Sequence, residues 1–496
     1  MRYALLTWLV FLAVLVAVVD GAGATVTAVP AARQTAPITL GDGVGGALRH
    51  TFSALNPRNS GAGGDNFAID LALENGQLIV GAPRDERAGT RSGAIYLYDV
   101  AGDAVTERVV RTNPQGSNSD EQFGRAVAIA DGRAFAGVIG DGPVGGANSG
   151  SFFDFDISNS SFADQDSTGS PFATGLGLSP EFGLDIAGFG DRIAVGARHA
   201  DAGGAIDAGA AVLYEGPSRD MTILSNPEPQ DNDRFASSIG ISKDFVVFGA
   251  AADDTGAIAD AGAVYAYVGD ADPDGVLGVA AKAGRALVDL DNSGSNDGYR
   301  LIGPAPDAGD GFGGAAASGI AVRGGYALIG AADGDAVGSD GTETGDDDRG
   351  AAYLYDLSAG ALEVAVSNPN SAPGGGFGAS VALSESYMLI TDSAGPQEMA
   401  YLYDRQGRLL ASIANPLGSL DVGFGTSLAL TDDVAIIGAP FADQNGADSG
   451  AFFVFAIDDL VGAPVPAPAP LLPTLLGLAA LALMRRRAPG WPAGRC

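Results

Sequence analysis

The sequence predicts an all-β fold made of seven repeated units, and three observations support this prediction. A Phe followed by Gly or Ala recurs at intervals of about fifty to eighty residues, the spacing of a repeat architecture. A strand of small residues follows most of these Phe residues at a constant distance. The composition combines 75 Gly and 26 Pro with short apolar runs, which is typical of strands and turns.

The repeated motif begins at seven Phe residues. They are Phe67, Phe123, Phe182, Phe235, Phe312, Phe377 and Phe424. In six of the seven units, the residue fourteen places further on opens the strand of small residues. These residues are Gly81, Gly137, Gly196, Gly249, Thr391 and Gly438. Thr391 is the departure from Gly. Because the distance is constant, we expect the units to place these residues at equivalent positions.

The last unit illustrates the strands of one repeat. Residues 426–431 (T-S-L-A-L-T) alternate polar and apolar, which predicts a half-buried strand. Asp432 and Asp433 reverse the chain into a second strand over 434–439, and a loop leads to a third over 451–455. Other units reverse at Asn-Gly or Asp-Gly pairs, which suit tight hairpins. The pattern therefore predicts three antiparallel strands in each unit.

A fourth strand precedes most units and often ends in Asn-Pro, where Pro removes a hydrogen-bond donor and stops the strand. Residues 48–55 form such a strand with no unit ahead of them, whereas the seventh unit has only three strands. Ring closure accounts for both observations, since the first strand would complete the last sheet and leave only short edges. The sequence thus predicts a seven-bladed β-propeller of four-stranded blades over residues 45–457, closed by an N-terminal strand in the last blade.

The residues that carry this pattern resemble the FG-GAP repeat family, best known from the propellers of integrin α-chains. Phe424-Gly425 and Gly438-Ala439-Pro440 match both name motifs of the family. The resemblance covers about residues 45–457 and implies the propeller fold. Propellers recognise ligands through loops carried on a rigid scaffold, so it also favours a binding function.

Calcium is the candidate cofactor. In calcium-binding FG-GAP blades, the resemblance implies a D-x-D-x-D-G-x-x-D loop before the Gly-Ala-Pro strand, but this chain has two-residue hairpins there. Residues 289–297 instead read D-x-D-x-S-G-x-x-D, with oxygen ligands at alternate positions as a hard cation requires. The candidate metal ligands are Asp289, Asp291, Ser293 and Asp297. The same residue types also form ordinary turns, so both readings stay open.

The N-terminal residues 1–24 are predicted to be a secretory signal peptide. Arg2 supplies the positive start, residues 4–19 the apolar run, and residues 22–24 (A-G-A) the cleavage site. An uncleaved membrane anchor is the alternative. The segment predicts that the protein is exported.

The C-terminal end is predicted to consist of a Pro-rich linker, residues 458–470, and a sorting or anchor tail, residues 471–496. An apolar segment over 471–484 precedes the Arg block 485–487. The tail resembles the PEP-CTERM-type sorting tail of Gram-negative bacteria. This resemblance implies a transient hold in the inner membrane, removal by a sorting protease, and an extracellular or cell-surface destination. Ala467 stands where that family has Glu, so a related sorting class or a plain anchor are alternatives.

Charge and composition exclude several classes of function. The net charge of −33 repels nucleic acid and anionic lipid, so no nucleic-acid partner is predicted. Cys496 is the single cysteine, which rules out a disulfide within the chain. The two histidines are His50 and His199, and no convincing nucleophile elbow, P-loop or H-E-x-x-H motif occurs. The sequence therefore predicts that the protein is not an enzyme.

The predicted function is that of an exported, monomeric binding or adhesion module for a protein or polysaccharide, with calcium as the candidate cofactor. One alternative is a structural component of an exopolysaccharide matrix. The other is a hydrolase that uses carboxylates at the mouth of the central channel. Buried carboxylates facing one pocket would favour the hydrolase, whereas calcium-dependent glycan binding would favour the binding module.

Overall fold

A computed structural model describes residues 48–462 apart from fifteen gaps. The gaps are residues 54–63, 103, 115–119, 141–149, 158–164, 170–180, 269–285, 291–296, 305, 315–317, 336–347, 370–375, 394–397, 419–421 and 445–446. The predicted signal peptide and C-terminal tail lie outside the described residues. None of the helical residues described forms a segment with the length and apolar character needed to cross a bilayer.

The described residues form seven antiparallel sheets, which are the blades of the propeller. Blade 1 consists of β2 Leu71–Glu74, β3 Gln77–Ala82, β4 Ala94–Ala101 and β5 Ala104–Thr112. Blade 2 consists of β6 Phe123–Ala130, β7 Arg133–Val138, β8 Ser151–Asp156 and β9 Gln165–Gly169. Blade 3 consists of β10 Ile186–Phe189, β11 Arg192–Ala197, β12 Ala210–Glu215 and β13 Asp220–Ser225.

The remaining blades follow the same plan. Blade 4 consists of β14 Ser238–Ile241, β15 Val246–Ala250, β16 Ala263–Tyr267, β17 Ala286–Val288 and β18 Gly298–Ile302. Blade 5 consists of β19 Ile320–Arg323, β20 Tyr326–Ala331, β21 Ala351–Asp356 and β22 Ala361–Ser367. Blade 6 consists of β23 Phe377–Leu383, β24 Tyr387–Asp392, β25 Met399–Asp404 and β26 Leu409–Ala414. Blade 7 consists of β27 Leu428–Leu430, β28 Val434–Ala439, β29 Ala451–Ala456 and the N-terminal β1 Leu48–Ser53.

The predicted closure of the ring is confirmed. β1 pairs antiparallel with β29, with His50 opposite Val454 and Ser53 opposite Ala451. A parallel bridge between Phe67 and Gly450 joins blade 1 to blade 7 as well. Both contacts join the start of the propeller to its end. The fold predicted from the repeats is therefore the fold of the protein.

Burial of the motif Phe residues builds the core between blades. All seven are at most 1% exposed. In six of the blades the Phe ring contacts an aromatic ring on the third strand of its own blade, with centroids 4.8 to 5.9 Å apart. Phe67 also lies 5.7 Å from Phe452 of blade 7, so its ring contributes to packing on both sides. Large buried rings explain why the motif requires Phe.

The Gly residues of the motif permit a close approach between neighbouring blades. A methyl group added to Gly81, which opens the small-residue strand of blade 1, would overlap the carbonyl oxygen of Gly124 in blade 2. Gly124 itself has a φ of 85°, a conformation that favours Gly. The other junctions repeat this pairing. They join Gly137 to Gly183, Gly196 to Ala236, Gly249 to Gly313, Gly330 to Gly378, Thr391 to Gly425, and Gly438 to Ala68. No junction places two side chains face to face.

The junction between blades 6 and 7 explains the departure at Thr391. Other blades have a Gly before the third strand that contacts the next motif Phe, but blade 6 has Glu398 there. The Glu398 carboxylate accepts hydrogen bonds from the backbone N–H groups of Gly423 at 2.8 Å and Phe424 at 3.1 Å. A buried side chain thus replaces the direct backbone contact, and the Thr391 hydroxyl donates to the Ser380 carbonyl.

Two features differ from seven uniform blades. Blade 4 has five strands, because β17 pairs with the outer strand β18. In blade 5 the Gly equivalent to Gly81 is Gly330, eighteen residues after Phe312, and the N–H of Gly313 donates to its carbonyl at 3.0 Å. A local insertion therefore hides this Gly from a search at constant spacing. After β29, the short helix α1 Ile457–Gly462 packs on blade 7 at the start of the predicted linker.

Candidate functional site

One end of the propeller gathers most of the irregular backbone. In each blade the first strand leads away from the motif Phe, the second returns, and the third and fourth repeat this path. The motif Phe residues, the loops between second and third strands, and the Asn-Pro ends of fourth strands therefore share one face. We call it the Phe-Gly face. Most of the connections on the opposite face are tight hairpins, and the loop between β17 and β18 also lies there.

Asp side chains cap four loops of the Phe-Gly face. In each, an Asp carboxylate accepts a hydrogen bond from the backbone N–H of a second Asp whose φ lies between 46° and 54°. The pairs are Asp201–Asp207 at 3.1 Å, Asp254–Asp260 at 3.0 Å, Asp335–Asp348 at 3.0 Å and Asp443–Asp448 at 2.9 Å. Asp tolerates this left-handed conformation better than most residues. These caps were not predicted from the sequence, although Asp recurs in all four loops.

The Asn of the Asn-Pro motif also has a role that the sequence did not reveal. Each of four such Asn side chains donates to a buried acidic residue. The pairs are Asn113 with Glu121, Asn226 with Asp233 and Asp253, Asn368 with Asp392, and Asn415 with Glu398. These bonds satisfy carboxylates that would be costly to bury alone. They fix the connection between one blade and the next.

The predicted calcium loop connects β17 to β18 at the outer edge of blade 4. Its first and last candidate ligands, Asp289 and Asp297, are described, whereas Asp291 and Ser293 lie outside the described residues. Asp297 Oδ1 accepts a hydrogen bond from the N–H of Leu290 at 2.8 Å, which closes the hairpin.

The described residues contain no group of three or more His, Cys, Asp or Glu side chains that could hold a metal ion. Since two of the four candidate ligands are not described, calcium binding at this loop stays a prediction. The contact between Asp297 and Leu290 supports the alternative role of the loop as a turn.

A central channel lies between the first strands of the seven blades. The strands are β2, β6, β10, β14, β19, β23 and β27. Its cavity has a volume of about 290 Å³. Asp70 and Asp185 line its Phe-Gly end, each three residues after a motif Phe. These acidic groups make the channel mouth a candidate site.

Asp70 connects two blades. One carboxylate oxygen accepts from the N–H of Leu71 at 2.8 Å, and the other accepts from the N–H of Val127 in blade 2 at 2.7 Å. Burial raises the pKa of Asp70 to about 6, against the opposing effect of these two N–H groups and of Arg125. Both oxygens therefore have a structural role.

Asp185 occupies the equivalent position in blade 3 and is 5% exposed. Burial, with a further contribution from the charge of Asp70, raises its pKa well above the usual range, while the N–H groups of Ile186 and Ile239 oppose the shift. Its Oδ2 atom is buried and has no hydrogen-bond partner among the described residues. Four other blades place Ala126, Ser238, Ser380 and Ser427 at this position. The channel mouth is thus asymmetric.

Arg125 lies near both carboxylates, and burial lowers its pKa while the charges of Asp70, Glu181 and Asp185 oppose this shift. Next to it, Glu181 contacts Arg198 at 3.3 Å and His199 at 3.4 Å. His199, a residue without an assigned role in the sequence, is only partly exposed and also contacts a second carboxylate, Asp207, at 3.5 Å.

The raised pKa values of Asp70 and Asp185 predict that these two groups contribute more to stability at pH 4 than at pH 8. A carboxyl group whose pKa rises on folding binds its proton more tightly in the folded state, so the free energy of unfolding falls as pH rises from about 4 through the folded pKa. We expect Asp185→Asn to raise the free energy of unfolding at pH 8 by on the order of 2 kcal/mol, because it removes a buried acid. Urea unfolding at pH 4 and pH 8 measures the difference, which should shrink at pH 4.

Asp70→Asn is the matched control. The new amide NH₂ must face the backbone N–H of either Leu71 or Val127, so that two donors meet and one hydrogen bond is lost. The free energy of unfolding should therefore fall by about 1–3 kcal/mol at pH 8. Equal effects of the two substitutions would contradict the distinction between Asp70, whose two oxygens both accept hydrogen bonds, and Asp185, whose Oδ2 has no partner among the described residues.

Comparison with known proteins agrees with this architecture. The family model of the FG-GAP repeat matches residues 58–98, 219–267 and 417–455. These segments include the motif Phe and the small-residue strand of blades 1, 4 and 7. No curated protein matches the chain. The three matches and the seven sheets together show a β-propeller that carries FG-GAP repeats in the matched segments.

Proposed function

We propose that the protein is an exported binding module that recognises a polysaccharide or protein partner through its Phe-Gly face. The proposed location is the exterior or surface of a Gram-negative bacterium, with transient attachment to the inner membrane through the C-terminal tail. The fold is consistent with a binding module, because a propeller presents loops from seven blades on one rigid face. The protein acts as a monomer in this proposal.

The observation that carries the proposal is the set of Asp-capped loops. Each cap fixes a loop before any partner arrives, so that less conformational entropy is lost on binding. The caps at Asp254 and Asp443 belong to different blades yet have the same geometry. Loops that served only to connect strands would not require such fixed shapes. Calcium bound at Asp289–Asp297 is proposed to stabilise the protein. This segment is not one of the four Asp-capped loops.

A specific observation also favours the hydrolase as a second candidate. Asp70 and Asp185 line the same cavity, and glycoside hydrolysis uses pairs of carboxyl groups. However, both oxygens of Asp70 accept backbone hydrogen bonds that join blades, which gives that carboxylate a structural explanation. Binding therefore accounts for more of the Phe-Gly face than catalysis does.

Binding of the exported protein to a glycan array and to the exopolysaccharide of its host tests the proposal. We expect Asp254→Ala and Asp443→Ala to weaken binding by about tenfold, since each releases a loop that is fixed before binding. Asp404→Ala is the matched control. Asp404 caps a turn on the opposite face through the N–H groups of Gln406 and Arg408.

Unchanged binding in both loop variants, or an equal loss in the control, would contradict a role for the Phe-Gly face. The same assay with calcium and with a chelator tests the cofactor. Hydrolysis products released from the glycan, and lost in Asp185→Asn, would instead support the hydrolase.

A further inference from the structure

We propose that a site for one neutral sugar residue of a polysaccharide lies on the Phe-Gly face at the junction between blades 7 and 1. Phe441 stacks against the sugar ring, and Arg84 donates hydrogen bonds to its hydroxyl groups. This inference rests on the proposed function and deepens it, because it names a ligand class and two residues that determine specificity.

The two residues occupy equivalent positions in neighbouring blades. Each is the third residue after the Gly that opens the small-residue strand, and we call this the loop-start position. The backbone N–H of Phe441 donates to the Val422 carbonyl at 3.0 Å, and that of Arg84 donates to the Asp65 carbonyl at 3.2 Å. Both acceptors stand two residues before a motif Phe. The backbone therefore brings both residues to the Phe-Gly face in the same way.

The residue type at the loop-start position varies between blades, unlike the Phe and Gly residues that pack the blades together. Phe441 is 38% exposed, whereas the described residues at the other loop-start positions are less exposed. These residues are Arg84, Gly140, His199, Ala252 and Asp333. None of them is a large aromatic residue. The fold therefore does not require an aromatic ring at this position, and packing does not explain Phe441.

Backbone hydrogen bonds join the two loop-start positions into one surface. The carbonyl of Asp448, in the loop that follows Phe441, accepts from the N–H of Asn66 at 3.1 Å. Asn66 stands next to Asp65, whose carbonyl accepts from Arg84. The junction between blades 7 and 1 thus links the loop that begins at Phe441 to the loop that begins at Arg84.

The guanidinium of Arg84 is available to a ligand. It makes no hydrogen bond or ion pair with the residues that the structure describes, and the side chain is partly exposed. The adjacent acid, Asp85, is buried, contacts Arg87 at 3.3 Å and accepts from the Tyr96 hydroxyl at 2.7 Å. Arg84 can therefore direct its N–H donors to the hydroxyl groups of a sugar.

The surroundings of Phe441 favour a sugar over a protein surface. In the strands and loops described for blades 7 and 1, Phe441 is the only large apolar side chain that is exposed to this extent. One ring is much smaller than a protein interface, which buries about 800 Å² on each partner. A pyranose presents C–H groups on one face, which can bury against an aromatic ring, and hydroxyl groups around its edge. Phe441 and Arg84 match these two features.

The charges near the site favour a neutral sugar. Asp443 is exposed two residues after Phe441, and the chain has a net charge of −33, so a uronate would be repelled. An amino sugar would meet the guanidinium of Arg84. A neutral sugar avoids both repulsions and still accepts hydrogen bonds from Arg84.

Saturation-transfer NMR on the full chain tests the role of Phe441. The neutral probes are cellohexaose, laminarihexaose and mannohexaose, and the charged probes are hexagalacturonate and the chitosan hexamer. We expect a neutral probe to bind and Phe441→Ala to weaken that binding by about tenfold, because the sugar loses its apolar contact. Phe441→Trp should retain binding. Phe189→Ala is the matched control, because Phe189 is also 38% exposed but lies on the opposite face.

Arg84→Gln tests the hydrogen bonds and should also weaken binding by about tenfold. Arg408→Gln is its control, because Arg408 is exposed in a turn on the opposite face. Circular dichroism establishes that each variant is folded.

The inference is overturned if no neutral probe binds, if a charged probe binds more tightly, or if the Phe441→Ala and Phe189→Ala variants bind equally. Binding to the host exopolysaccharide or to a protein partner that is lost in Asp254→Ala but kept in Phe441→Ala would overturn this site and leave the proposed function intact. A chain that binds no glycan and no protein partner would overturn both.

Discussion

Removal of β1 is expected to destabilise the propeller strongly. A chain that starts at residue 54 lacks the strand that pairs with β29, and so exposes the edge of a sheet whose residues Phe453 and Phe455 are fully buried. An unpaired apolar edge invites aggregation, and the ring loses the strand pairing that joins its start to its end. We expect the melting temperature to fall by on the order of 10 °C or more, measured by circular dichroism.

A chain that starts at residue 45 is the control, because it retains β1. It should melt as the full chain does. A synthetic peptide of residues 45–55, added to the shortened chain, should restore part of the lost stability by pairing with β29. Identical melting of the two chains would show that the N-terminal strand is dispensable.

Gly330→Ala is expected to destabilise the protein by about 3–5 kcal/mol, one of the largest effects available from a single methyl group. The added group would overlap the carbonyl oxygen of Gly378, at the junction between blades 5 and 6. Both partners are backbone atoms within strands, so neither can move aside without separating the blades. Chemical denaturation measures the change.

Gly325→Ala is the matched control in the same blade. A methyl group at Gly325 meets no atom within 4 Å, and its φ lies outside the left-handed region, so the change should be within about 0.5 kcal/mol of neutral. Similar losses in the two variants would mean that the close contact at Gly330 does not limit blade packing.

Most of the architecture could be predicted because its physical requirements recur seven times. Burial of a large ring requires Phe, and the close contact between blades requires Gly, so these residues recur at equivalent positions in most blades. The strand ahead of the first unit indicated that the ring is closed. The prediction failed where a side chain, rather than the backbone, makes the contact between neighbouring blades. Glu398 replaces a backbone contact with two hydrogen bonds to Gly423 and Phe424, and no local pattern reveals this exchange. β17 is short and depends on pairing with β18.

The candidate site was less accessible from sequence. The acidic motif at Asp289–Asp297 was prominent in sequence, whereas Asp70 and Asp185 acquire significance only when the ring brings blades 1 and 3 to a common channel. A signal did exist, since an Asp stands three places after the motif Phe in only these two units. Arg125 could not be recognised, because the charged residues that act on its pKa, among them Asp70 and Asp185, lie more than fifty residues away in the chain.

The pairing of β1 with β29 means that the ring can close only after the whole propeller has been synthesised. About four hundred residues separate these partners, so the loop that their pairing closes is among the longest in the molecule, and non-local contacts of this kind form slowly. A nascent polypeptide must keep its first strand available until the last blade leaves the ribosome. Maturation of the circular structure is therefore a post-synthetic event, and premature termination anywhere before residue 451 leaves an open arc with two unprotected ends.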